Sequence, residues 1–545
     1  MTNSKITKVK RVTHPVDESV VISFLCFLIK MVLVIFVSIP LTVVIVLVSP
    51  VFIILKYMLL VLRNPVSSAS TLCKPLQYLN AHEAQYLYQD QKDLAVFHSI
   101  LILDSSINIE SIREVVTSRI VENENNEGVL LYPRFSQKIV FTSVGPAWLK
   151  QQSFDIKNHI YSGPAMSSEK DLLHYISTLL TQSLSFNIPL WEVIVIVDYG
   201  DDHDVILICR VHQCLTDGAA LVKLLSHSLA DNSSGGITKK PNFAGTNFGF
   251  NLLRGLFVGT LTAINWLWWS KSESNICAKT FKKNTNHSKC SLHETKLHKN
   301  KETVINISQK AGKNNSYKKR MNEKLSKNTL QWSDSIAVND ILRIKQISRT
   351  SFNDIILSAL TGALRKSLQK FGQTKIRDIK VNVSVDLRKN KNLQDQCLKP
   401  RVSLVPVVVP LSCEGAVPRI WEVQKRMGIM KGSCDSVMGY GLSCLLPQSI
   451  AGCLQKRLQS RALLHFSSIS VPTHPISLGG SRLKAVFAIN PTASALNVTV
   501  VTYFGRVYVT VTIKRSIPRA AKLASTILRN FDNQVNIGVK NIFIL

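Results

Sequence analysis

No two cysteines in this chain are spaced C-x-x-C, and none of the eleven stands at metal-ligand spacing. Zinc-ribbon and dithiol redox chemistry therefore find no support, and in a chain of this size scattered cysteines point to reduced, mostly structural thiols. Walker A, dinucleotide-binding and nucleophile-elbow signatures are also missing, so nucleotide hydrolysis, dehydrogenation and serine hydrolysis are unsupported. Acidic residues are scarce: 35 Asp and Glu stand against 66 Lys and Arg, a formal net charge of +31. Much of the excess lies between Lys271 and Lys327, in runs such as TFKKNTNHSKC and NNSYKKRMNEK. Such a segment fits an anionic partner, either lipid headgroups or nucleic acid, or a solvated linker. With no zinc spacing or RNA-recognition sequence beside it, nucleic acid is set aside.

What the chain does have is length and apolar residues. Its 545 residues, 46% of them hydrophobic, can bury more than one core. From Val20 to Val61 runs a hydrophobic segment far longer than the roughly 7–15 apolar residues of a signal peptide. Met31–Leu55 carries no charge and exceeds the roughly 20 residues that cross a bilayer. Pro40 and Pro50 interrupt it, and cations flank both ends. We expect a hairpin bent near Pro40 that returns to the cytosolic side, with a single kinked span as the alternative. A second apolar patch, Phe248–Trp269, contains Arg254 and ends in an aromatic cluster; it suits the membrane interface, or else a buried crossover helix. The Lys/Asn/Ser-rich stretch behind it has too few apolar residues to fold alone. Of six N-x-S/T tripeptides, those at Asn382 and Asn497 lie in strand-like surroundings where a glycan would disrupt packing.

Elsewhere the pattern is mixed α/β. VFHSILIL and DVILICRV read as strands, and Glu169–Leu184 has helical apolar spacing. After Trp332, FNDIILSALTGALRKSL reads as an amphipathic helix entered through Asn353 and Asp354, either of which can cap it. KVNVSVDLR, RVSLVPVVVPL and ALNVTVVTYFGRVYVTVTI are strands rich in β-branched residues. The layout is a tail and membrane anchor (1–66), a first α/β half (67–230), a connector (231–331) and a second α/β half (332–545).

The loop RVHQCLTDGAALVKLL, Arg210–Leu225, sets polar residues at a strand end before a turn and a helix. It joins other segments in a fixed order: FDIKNHIY at Phe154–Tyr161, PLWE at Pro189–Glu192, HQCLTDG at His212–Gly218, the Asn353–Leu368 helix, VSVDLR at Val383–Arg388, and LNVTVVTYFGRVYVTVT. Through this collinearity, most of Leu72–Leu528 resembles the wax ester synthase/diacylglycerol acyltransferase family. The resemblance implies two chloramphenicol-acetyltransferase-like α/β subdomains with a tunnel between them. It also implies acyl-CoA as co-substrate, no bound cofactor or metal, and a lipid alcohol, diacylglycerol or fatty alcohol, as acceptor. With membrane lipids as neighbours, the expected place is the endoplasmic reticulum membrane with the acyltransferase halves facing the cytosol, or alternatively the plasma membrane.

In the family's His-His-x-x-x-Asp-Gly motif the second histidine removes the acceptor's proton, a task suited to a pKa near 6.5. Here that position is Gln213, a neutral amide that can only hydrogen-bond. His212 remains, but neighbouring side chains on a strand face opposite ways. The reading is thus either an active acyltransferase or an inactive relative that binds acyl lipids or a partner protein. The family's Ser-Asn-Val-Pro-Gly-Pro turn has become ISVPTHP, Ile469–Pro475, which introduces His474 as a candidate substitute base or a plain surface residue. SIPRA places Arg519 where the family commonly has an acid. Asp217 is expected to tie the loop to a cation, with Arg388 as partner, or to cap the following helix. Gly218 is expected to supply a sharp turn, Asn353 and Asp354 to orient groups or cap, and Trp191 to pack in the core.

Overall fold

The computed structural model describes residues 77–88, 95–231 and 328–542, less short interruptions of which 389–397 is the longest, plus five isolated positions before residue 77. Apart from those five positions, the apolar run from Val20 to Val61 lies outside these described residues, as do the Phe248–Trp269 patch, the Lys-rich connector and the tripeptides at Asn232, Asn286, Asn306 and Asn314. Among the described residues no helix is long and apolar enough to cross a membrane.

Two main sheets, each with its own buried cluster, form two lobes. In the first, strands run in the order 477–478, 481–489, 96–103, 204–212, 191–199 and 160–162. Val96–Leu103 and Asp204–His212 pair antiparallel along their whole length, Val96 opposite His212. The largely apolar character of VFHSILIL and DVILIC, without strict alternation, reflects burial on both faces; Ile100, Leu103, Ile206 and Ile208 are fully buried. Helix Glu169–Leu179 starts at Ser168, whose hydroxyl accepts the Asp171 N–H at 3.2 Å.

The second sheet runs 402–409, 379–386, 464–470, 496–503, 506–513 and 329–332. Phe504 and Gly505, both at positive φ (42° and 71°), make the two-residue turn between its last long hairpin strands. Val381, Val383, Val385, Leu464, Phe466, Val498 and Val500 point under helices Phe352–Lys370, Ala416–Lys431 and Ala520–Ile542. Helix Phe352–Lys370 is capped by Ser351, not by Asn353 or Asp354: the Ser351 hydroxyl accepts the Asp354 N–H at 3.3 Å.

Chain order and lobe membership separate at one place. Ser481–Ile489 comes from the second half, yet it pairs antiparallel with Val96–Leu103 in the first sheet before the chain returns at Leu496. Asn382 and Asn497 lie buried in central strands, where a glycan cannot be accommodated.

Besides His159, four histidines, His82, His98, His212 and His465, are almost wholly buried. Desolvation pushes them down to about 4, 3, 4 and 3 respectively, helped at His98 by Arg210 and opposed at His82 by Asp217. Because the folded pKa lies below the unfolded value near 6.5, the unfolded chain binds protons first, and stability is lost as pH falls through 6.5 towards 4. At pH 5 each ring gives up roughly 2 kcal/mol, so four together rival a domain's entire stability of about 5–15 kcal/mol. Denaturant titrations between pH 7 and 5 should show a steep loss of stability well above the carboxylate range; a flat profile to pH 5 contradicts this burial.

Candidate active site

The loop after strand Asp204–His212 sorts its polar residues by backbone alternation. His212 Nδ1 lies 2.9 Å from Cys214 Sγ and accepts the Cys214 N–H at 3.2 Å, with Phe186 edge-on to the ring. It is not among the residues lining the space between the lobes. Gln213 is: its backbone N–H donates to Ala95 O at 2.7 Å, and its Nε2 donates across the cavity to Asn490 Oδ1 at 2.7 Å.

Asp217 performs both of its expected tasks. Oδ1 accepts the Ala220 N–H at 3.0 Å and caps helix Gly218–Leu224, while Oδ2 accepts from Arg388 Nη2 at 2.5 Å and from the Arg401 N–H at 2.9 Å. Arg388 also donates to Asp386 Oδ1 and to Lys399 O, so a buried cation of the second lobe holds the loop of the first. Burial alone would disfavour the guanidinium charge, but the two aspartates raise its pKa. Gly218 works differently from expectation. Its φ is not positive; instead, a Cβ there would sit 2.7 Å from the Phe97 ring and 2.9 Å from Ile469 Cδ1. Close approach of Phe97 from its own lobe and of Ile469 from the other, not a turn, requires glycine.

The cavity is floored by this loop, with Tyr86 and Phe97, and roofed by Ser384, Leu404, His465, Ser467 and Ile469 of the second sheet. Its enclosed volume is about 70 Å³, below the roughly 300–1,000 Å³ of ordinary ligand pockets. That is room for reacting groups, so long apolar substrates would require the walls to part.

Other expected residues lie at varying distance. Asn353 Oδ1 accepts from Ser468 Oγ at 2.9 Å, one contact from the cavity, whereas buried Asp354 takes Lys431 Nζ at 2.7 and 2.8 Å and faces a neighbouring helix. Trp191 is core, donating Nε1–H to Phe135 O at 2.9 Å and stacking on His159 at 4.5 Å. His474 is half-buried and is not among the lining residues, so the structure does not bring it to Gln213.

Sequence reading missed His465. Its Nε2 lies 3.2 Å from Ser384 Oγ and 3.3 Å from Asn490 Nδ2, and its Nδ1 is buried without a partner among the described residues. A signal was available. In VNVSVD, LNVTV and the opening LHFS of LHFSSIS every second residue is polar, yet Asn382, His465, Ser467, Asn497 and Thr499 are buried. Alternation with both faces buried marks a strand whose polar face lines an internal site instead of meeting solvent.

Residues 89–247 match the wax ester synthase/diacylglycerol acyltransferase catalytic domain, and residues 401–533 match the WS/DGAT C-terminal domain, together just over half of the chain. The chain belongs to this family. It is 22% identical over 466 residues to wax ester synthase/diacylglycerol acyltransferase 10 of Arabidopsis thaliana, covering 77% of this chain and 90% of that one. Two Mycobacterium tuberculosis proteins provisionally named diacylglycerol O-acyltransferases are 29% identical over 100 residues, where this chain spans a fifth of their length. The wax ester synthase/diacylglycerol acyltransferase of Marinobacter aquaeolei VT8 shares the fold (TM-score 0.51, 14% identity, 85% of this chain and 99% of that one). So does the first condensation domain of the calcium-dependent antibiotic synthetase (TM-score 0.50, 11% identity, 86% and 97%). The mixed α/β, two-lobe architecture is thus the one the motif order implied.

Because Asp217 is buried against Arg388, Arg388→Ala should destabilise the protein by roughly 3–5 kcal/mol. Asp217→Ala, which removes both charge and cap but leaves Asp386 on the arginine, should cost less. Urea denaturation of the two variants checks the order.

Proposed function

We propose that this chain transfers the acyl group of an acyl-CoA to the hydroxyl of a lipid alcohol, diacylglycerol or a long-chain alcohol, in the interlobe cavity. The observation that carries the reading is the meeting of the family's motif loop, through Gln213 and Gly218, with the buried polar face of the second sheet in one cavity. In a direct transfer the acceptor oxygen attacks the thioester carbon, the C–O bond forms as C–S breaks, and the hydroxyl proton ends on the departing CoA thiol. No covalent enzyme intermediate is required. The lobes supply alignment, a shielded site and donors such as Gln213 Nε2–H. The sequence before residue 62 and the basic connector suit attachment to a membrane, where such substrates reside and where anionic headgroups meet lysine-rich segments. An endoplasmic reticulum membrane, with the lobes in the cytosol, belongs to the same proposal.

A second reading rests on Gln213. A carboxamide accepts no proton at neutral pH, and loss of a general base costs roughly 10²- to 10⁴-fold. A binding protein descended from the enzymes would keep the fold and Asp217 while losing that base.

The test is ester formation from labelled acyl-CoA and either alcohol, with the chain in membranes lacking background esterification. Ester from the native chain is expected. No ester from the native chain, together with ester from Gln213→His, supports the second reading instead.

A further inference from the structure

Within the cavity the polar side chains form one connected line. Gln213 Nε2 donates to Asn490 Oδ1 at 2.7 Å, and Asn490 Nδ2 in turn reaches His465 Nε2 at 3.3 Å. Ser384 Oγ is the other neighbour of that nitrogen, at 3.2 Å. With Asn490 oriented by Gln213 so that its Nδ2–H groups face the imidazole, Nε2 is the lone-pair nitrogen and the ring proton sits on Nδ1. Ser384 then donates its hydroxyl proton towards Nε2. The ring is fully buried and lines the same cavity as Gln213, and the Ser384 hydroxyl shows where an O–H aimed at its basic nitrogen can sit.

We propose that His465 is the general base of this site, accepting the acceptor alcohol's proton in place of an imidazole at position 213; the proposal rests on the acyl-transfer reading. The alcohol's oxygen attacks the thioester carbon while its proton passes to Nε2. The C–S bond then breaks, and the same proton leaves Nε2 for the CoA sulfur, restoring the neutral ring. Gln213 and Asn490 are positioning residues: their amide chain fixes the tautomer that leaves the lone pair on Nε2, and the alcohol's O–H would take the place of the Ser384 hydroxyl beside it. This division of labour gives Gln213 a purpose. In a site without a base at 213, a carboxamide that fixes the tautomer of a second imidazole preserves proton transfer, where an apolar side chain would not.

Desolvation keeps His465 neutral at physiological pH, the form a base requires, though at the cost of basicity. Burial of the whole cavity reduces the competing solvation of the attacking hydroxyl as well. Ser384 is not assigned as a nucleophile, because direct transfer needs no acyl-serine.

The experiment first measures acyl-CoA binding and ester formation by the native full-length chain in membranes, then by His465→Ala. The expected result is unchanged acyl-CoA affinity and kcat lowered roughly 10²- to 10⁴-fold, with part of the rate restored by added imidazole or by Gln213→His in the same chain. Should His465→Ala fail to fold, His465→Asn carries the comparison. Ser384→Ala should retain the rate within about tenfold, the scale of one lost hydrogen bond. His465 variants at the native rate overturn the base and leave acyl transfer standing. An acyl adduct trapped on Ser384 of the native chain, with no ester from Ser384→Ala, overturns it in favour of a covalent route. A native chain that binds acyl-CoA yet forms no ester with either alcohol overturns the acyl-transfer reading and the base together.

Discussion

The structure depends on one strand being in the wrong half of the chain. Ser481–Ile489 leaves the second lobe after Ser470, pairs with Val96–Leu103, and returns at Leu496. Its Phe487 stacks on Trp332 at 4.5 Å and meets Tyr508 edge-on, so side chains from the second lobe's last strands pack against the strand they lent. Withdrawing it would expose the edge of Val96–Leu103 and leave a row of backbone groups without partners. Hence the lobes are not two domains on a tether: any opening of the cavity must keep this pairing. Asn490, the first residue beyond the borrowed strand, is delivered between Gln213 of one lobe and His465 of the other. Asp217 and Arg388 then fasten the loop itself across the same divide.

That arrangement explains what could be read from the chain alone and what could not. Strands such as Val96–Leu103 announce themselves through β-branched and apolar runs, and the motif loop through its polar strand end. The pairing of Ser481–Ile489 is a long-range contact with no local signature: SRLKAVFAI would serve equally in either sheet. For Gly218 the residue was noticed but its reason was not, because a missing Cβ can answer a turn or a neighbour, and only packing shows that Phe97 and Ile469 occupy the space. Asn353 and Asp354 were plausible caps by residue type; Ser351, two residues earlier, holds that role because helix geometry places its hydroxyl over the Asp354 N–H. His474 drew attention by its motif position, whereas His465 sat unnoticed in a strand whose alternation was its only clue.

The family likeness and the substitution at 213 pull in opposite directions only if position matters more than connectivity. His212 survives in the motif and is removed from the cavity by the two-residue period of the strand. Its Nδ1 is occupied by Cys214, and a rotation into the site would strand buried polar groups on the other side. A base can therefore come from the second lobe more readily than from the next residue. The two lobes face each other at a distance a single amide can span, as Gln213 and Asn490 show.

Energetics sharpen the point about the second sheet's inner face. The opposite face of the same strands is Val, Leu and Phe, and nothing in the backbone prevents the inner face from being the same. Each buried hydroxyl, amide or imidazole costs about 1–3 kcal/mol if its hydrogen bonds are not met, and a half-met network is worse than an apolar one. Yet His465 keeps a buried Nδ1 with no partner among the described residues, while its Nε2 is turned to Ser384 and Asn490. A ring kept only for packing would be replaced by Phe or Leu at a gain in stability. A ring kept for its lone pair must bear the cost of one unmet nitrogen so that the other remains aimed at the cavity.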